Sequence, residues 1–155
     1  MVLEAFQALR GAVPKARLLY VSDELPRGIE GVEPVPLVPR GEVAALYGRA
    51  DVFVNPTRAE GFGFTNVEAQ GFGLPVISSR LGAIPEVVED GRTGLLIDPE
   101  DGSTLLAAMR KIGENSALRG EMAVAARERF ASRFSLATFH EGLMGLYEEA
   151  QHTAV

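Results

Sequence analysis

Cysteine is absent from the 155 residues, which excludes disulfides, a thiolate nucleophile and thiolate metal ligands. Histidine occurs only at His140 and His152, isolated from each other, in or just after a helical stripe. Both read as surface or packing residues rather than metal ligands. No apolar run is long enough to cross a bilayer, and the opening residues lack the form of a signal peptide. Excess positive charge is missing too: 15 Lys and Arg face 21 Asp and Glu, for a net charge of −6. Nucleic acid needs clustered bases along its phosphates, so the balance argues against it as a partner. A single nucleotide needs only one local cradle and stays open as a ligand. Together these absences suit a reducing, cytoplasmic setting.

What remains is ordinary for a globular chain, with 46% hydrophobic and 23% charged residues. The length suits one domain. Val2, Phe6, Leu9 and Val13 share a helical face at the start. Short apolar runs follow at "ARLLYVS", "VEPVPLV", "ADVFVNP", "LPVISS" and "TGLLIDP", each bounded by turn residues and read as a strand. The prolines of the second run suit a sheet edge. Val43, Leu46 and Tyr47 mark a short helix between the second and third runs. Residues 65–72 read as another helix, and Pro85 suits the first turn of a third. Beyond Pro99 the pattern is helical, with stripes at Leu105, Leu106, Met109 and Ile112, at Leu118, Met122, Ala126 and Phe130, and at Leu136, Phe139, Leu143, Leu146 and Tyr147. Ser135 is placed to cap the last. Strands alternating with helices predict an α/β fold, a Rossmann-like parallel sheet with helices on both faces. Such sheets bind ligands at the carboxyl ends of their strands.

One stretch lies just past such an end: "AEGFGFTNVEAQGFG", residues 59–73. Glu60 precedes a glycine loop of Gly61, Phe62 and Gly63, and Phe64, Thr65 and Glu68 follow. Thr65 and Glu68 have the spacing of a capping box, in which both side chains merely close a helix start. A ligand reading is also open. Glycines let backbone approach a ligand, and a helix N-terminus offers free N–H groups and positive partial charge to a diphosphate. A carboxylate accepts from two neighbouring hydroxyls, so Glu60 could hold a sugar and Glu68 a ribose. A dinucleotide fingerprint fits poorly, because its third glycine is missing and "PTRAE" separates strand from loop.

The run from "ADVFVNPTRAEGFGFTNVEAQGFG" through "LPVISSRLGAIPEVVEDGRTGLLIDPED" resembles the signature half of the retaining GT-B glycosyltransferases of family four. The match is strong over residues 50–101 and extends more loosely from "ARLLYVSD" through "EVAALYGRAD" and to the closing "FSLATFHEGLMGLYEE". The resemblance implies a nucleotide diphosphate sugar as donor, with no metal and no cofactor. It implies that Glu60 is the catalytic carboxylate facing the donor sugar and that Glu68 binds the ribose hydroxyls. It implies that backbone at Gly61, Phe62, Gly63, Phe64 and Thr65 contacts sugar and phosphates. The chain departs from the family in places. The family's first strand, with its arginine and lysine for the diphosphate, has no counterpart ahead of Val2, and neither does the acceptor domain. Gln70 and Gly71 replace small or apolar residues, and Ala83 stands where a second glycine is common. The implied organisation is a single, incomplete donor-binding domain over residues 1–155, with a helical tail over 102–151. By itself it is expected to transfer little or nothing. A non-catalytic nucleotide-binding or protein-interaction module is the alternative. Without its central strand, the sheet is expected to close up or to recruit another chain, and Phe139, Leu143 and Tyr147 are expected to be partly exposed.

Overall fold

The computed structural model of the chain describes residues 1–153, without the side chains of 152 and 153. The expectation for the His152 side chain therefore lies outside the described residues, whereas His140 is exposed. The elements run α1 (Val2–Arg10), β1 (Leu18–Val21), β2 (Val32–Val35), α2 (Arg40–Tyr47), β3 (Phe53–Asn55), α3 (Phe64–Gly71), β4 (Val76–Ser79), α4 (Ile84–Val87), β5 (Gly94–Ile97), α5 (Gly102–Glu114), α6 (Ser116–Arg133) and α7 (Leu136–Thr153). Every apolar run of the sequence contains one strand. No described helix is long and apolar enough to cross a membrane.

All strand pairs are parallel, and helices cover both faces. On β4 successive side chains enter opposite cores, as the two-residue period of a strand requires. Ile77 joins Phe6, Leu9, Leu105, Met109 and Ile112 in one cluster. Val76 joins Val67, Ile84, Val87 and Val88 in the other. All four residues of β4 are buried, which explains why "VISS" shows no polar alternation. Each fully buried Ile, Leu or Val contributes about 1.5–3 kcal/mol. Pro34 lies within β2, whose one hydrogen-bonded neighbour among the described residues is β1, so its missing N–H breaks no central ladder. Asp101 caps α5, accepting from the amides of Ser103 at 2.8 Å and Thr104 at 3.2 Å. Ser135 caps α7 as expected, its hydroxyl accepting from the Thr138 amide at 3.1 Å.

The strands form two ladders rather than one, β1–β2 and β3–β4–β5. The expected alternative in which the flanking strands close up is therefore corrected: β1 and β3 are not paired. Both ladders are held on the same helical layer. Leu18 and Val32 pack from one, and Val54, Ile77, Leu95 and Ile97 from the other, onto the α1 and α5 cluster. Pairing β1 with β3 would need them about 4.8 Å apart, and the side chains already seated on α1 and α5 oppose that slide. The amides of Leu18 and Ser22 donate to Gly31 and Val35 on the β2 side. The strand period then turns the Leu19 and Val21 amides away from β2. Phe139, Leu143 and Tyr147 on α7 are exposed, at 67%, 38% and 60%.

Gly94 on β5 lies directly opposite Val76 on β4. A Cβ there would overlap the Val76 carbonyl oxygen and lie 2.8 Å from the Val76 carbonyl carbon and amide nitrogen. These are backbone atoms of a fully buried strand and cannot turn aside. Gly94→Ala is expected to lower unfolding free energy by about 2 kcal/mol in urea denaturation. Gly41→Ala is the control, since a Cβ at that position of α2 meets nothing within 4 Å. It should be neutral or gain up to about 1 kcal/mol. Equal effects of the two changes would refute the role given to Gly94.

Candidate functional site

The loop from Pro56 to Gly63 leaves the carboxyl end of β3 and enters α3. Two contacts shape its start. Thr57 Oγ1 donates to the Ala59 carbonyl at 2.8 Å, and Arg58 pairs with Glu100 at 2.8 Å. The loop then closes against α3 through Gly63, whose φ of +91° is left-handed and suits glycine. A Cβ at Gly63 would meet Asn66 Nδ2 at 3.0 Å, Ile84 Cγ1 at 3.6 Å and Glu60 Cγ at 3.7 Å. Glu60 thus packs beside the residue that precedes the helix. Its Oε1 accepts from the Gly61 amide at 3.1 Å, which orients the carboxylate. From the other side Gly82, with φ +53°, presses on the loop: a Cβ there would lie 2.7 Å from the Glu60 carbonyl oxygen.

α3 begins at Phe64 with Gly63 as N-cap, and no side chain caps it. This removes the capping-box reading. Thr65 lies inside the helix rather than before it, and Glu68 reaches elsewhere. Glu68 Oε2 accepts from the Tyr47 hydroxyl at 3.2 Å. The amides of Asn66 and Val67 both donate to the Gly63 carbonyl. The amides of Phe64 and Thr65 precede them and have no such helical acceptor, as expected of a first turn. Among the described residues neither Glu60 nor Glu68 is ion-paired. The two phenylalanines divide. Phe62 packs on the second core, its ring 5.1 Å from Phe64 and 6.3 Å from Phe134. Phe64 is 70% exposed.

A polar triangle that sequence reasoning missed holds this arrangement. Ser78 Oγ donates to the Asn55 carbonyl at 2.9 Å, Asn66 Nδ2 donates to Ser78 Oγ at 3.3 Å, and Asn55 Nδ2 donates to Asn66 Oδ1 at 3.3 Å. It ties the ends of β3 and β4 to the first turn of α3. Asn66 and Ser78 are fully buried, and buried polar groups are costly unless paired. The one available signal was polar residues at the ends of apolar runs. Gln70 is also fully buried, and Nε2 donates to the Val87 carbonyl at 3.2 Å. Gly71 leaves room for the Phe130 ring, which a Cβ would meet at 3.1 Å. Gln70 and Gly71, two of the departures noted in the sequence, thus have packing partners.

The characteristic sequence pattern of the glycosyl transferases group 1 matches residues 1–115. The chain belongs to that glycosyltransferase family. The D-inositol 3-phosphate glycosyltransferase of Corynebacterium kroppenstedtii is 35% identical to this group 1 chain over 124 residues, 77% of the chain and 27% of that protein. The group 1 chain therefore spans about a quarter of the length of such curated relatives. Sucrose-phosphate synthase from Thermosynechococcus elongatus superposes with a TM-score of 0.78 and 26% identity, covering 98% of this chain and 43% of that one. Anabaena HepE, solved in complex with UDP-glucose, gives a TM-score of 0.70 at 24% identity, over 79% of this chain and 34% of that one. The α/β architecture of the group 1 chain is that of the GT-B glycosyltransferases.

Proposed function

We propose that this chain is the donor-binding domain of a retaining glycosyltransferase that takes its sugar from a nucleotide diphosphate sugar. The observation that carries the reading is the uncapped start of α3 at the end of β3, flanked by Glu60 and Glu68 with neither in an ion pair among the described residues. The Phe64 and Thr65 amides would meet the diphosphate. Glu60 would face the sugar and Glu68 the ribose, with backbone at Gly61, Phe62 and Gly63 lying along the donor. In this reading helix amides, rather than a metal, answer the phosphate charge. A cytoplasmic setting goes with such a donor.

Transfer by the isolated chain should be close to zero. A departing diphosphate gathers negative charge, and fixed cations there are among the largest catalytic contributions. Arg58, in the loop after β3, pairs with Glu100, and Arg80, just after β4, pairs with Asp90. A partner domain or second copy would have to supply both cations and acceptor site. The exposed apolar residues of α7 favour a second reading, a nucleotide-binding or protein-interaction module derived from such a domain. Calorimetry with a panel of nucleoside diphosphates and their sugar conjugates tests the main reading. Saturable binding of one nucleotide is expected, and no binding by any member at millimolar concentration would refute it.

A further inference from the structure

Tyr47, the last residue of α2, is 8% exposed and its ring is held from two sides. Phe53 meets it edge-on at 5.6 Å and Phe72 stacks on it at 5.3 Å. A ring held this way has little freedom, so its hydroxyl occupies a set position. That hydroxyl lies 3.2 Å from Glu68 Oε2 and 3.4 Å from the Thr65 carbonyl. A carboxylate only accepts, so the tyrosine donates, and the charged partner is both nearer and stronger. Burial first, then the Glu68 charge and this hydrogen bond, push the Tyr47 pKa well above its ordinary value. The hydroxyl therefore keeps its proton. Glu68 is half-buried, and the bond ties down a side chain that would otherwise rotate.

On the reading of Glu68 as the ribose carboxylate, we propose that Tyr47 is its positioning residue: the hydroxyl holds Oε2 so that the carboxylate presents Oε1 and one remaining Oε2 lone pair to the two ribose hydroxyls. Tyr47 touches no ligand itself. It raises affinity by sparing the nucleotide the work of ordering Glu68. The phenolic oxygen is the part that matters, since a ring alone would fill the same space between Phe53 and Phe72.

Tyr47→Phe separates the two, because it keeps both ring contacts and removes the donor. UDP and 2′,3′-dideoxy-UDP are titrated calorimetrically into wild type, Tyr47→Phe and Glu68→Ala, with thermal unfolding followed in parallel. Wild type should prefer UDP. Tyr47→Phe should bind UDP about 2- to 10-fold more weakly, bind the dideoxy nucleotide as wild type does, and still unfold cooperatively. Glu68→Ala should lose the preference altogether. Wild-type affinity for UDP in Tyr47→Phe overturns the positioning role while leaving the ribose reading intact. Equal weakening toward both nucleotides overturns it too, since that marks a packing role. A preference for UDP that survives in Glu68→Ala removes the ribose reading, and the proposal with it.

Discussion

Replacing Glu60 with glutamine is expected to lower turnover by about 100- to 1000-fold while changing donor affinity little. The measurement needs the domain joined to an acceptor-binding half, with kcat and donor Kd determined separately. The effect is electrostatic. On the role proposed for Glu60, positive charge builds on the ring as the sugar–phosphate bond breaks, and a carboxylate beside it stabilises the transition state more than the ground state. Loss of one preorganised group of this kind typically costs 10²–10³ in kcat, about 2.7–4 kcal/mol. Glu60 is preorganised: Oε1 is held by the Gly61 amide and its backbone carbonyl is pressed by Gly82. Glutamine keeps the size but not the charge. Equal losses in affinity and turnover would assign Glu60 to plain ground-state binding instead.

If Glu68 holds the ribose as proposed, Glu68→Ala is expected to weaken nucleotide binding by about 10- to 150-fold, from two lost charge-assisted hydrogen bonds worth about 1.5–3 kcal/mol. The fold makes this test sharper than the sequence did. A capping role would have predicted a stability loss alone, but α3 has no side-chain cap and Glu68 bonds Tyr47. Some stability should still go, about 1 kcal/mol, because the buried tyrosine hydroxyl is left with only the more distant Thr65 carbonyl. Affinity and melting temperature must therefore be read together. A lower melting temperature with unchanged affinity would reject the ribose role.

Much of the architecture was legible in one dimension. Residues two apart on a strand and three to four apart on a helix share a face by backbone geometry alone. That is why "LPVISS" and "TGLLIDP" contain β4 and β5, and why the stripe at Leu105, Met109 and Ile112 faces the first core. Glycine signals are equally local. Gly63, in the glycine loop marked by the sequence, adopts positive φ, as does Gly82 on the other side of Glu60. The motif residues from Glu60 to Glu68 were found together for the same reason, since they are consecutive along one loop and the helix it enters.

What tertiary structure decided are contacts between residues far apart in the chain. Tyr47 read as one apolar position on a short helix, and nothing local connects it to Glu68 across 21 residues. Only the fold that brings the end of α2 to α3 sets its hydroxyl on Glu68, while the capping-box reading ends with Gly63 as the N-cap. The Asn55, Asn66 and Ser78 triangle is likewise assembled from two strand ends and a helix start. Phe62 and Phe64 are identical in sequence terms, yet one is packed and one exposed, because α6 brings Phe134 to just one of them. The break between β1 and β3 is a tertiary fact too. Sequence counts strands, but where they lie is set by packing: both ladders seat side chains on the same layer of α1 and α5, and β1 and β3 stay unpaired.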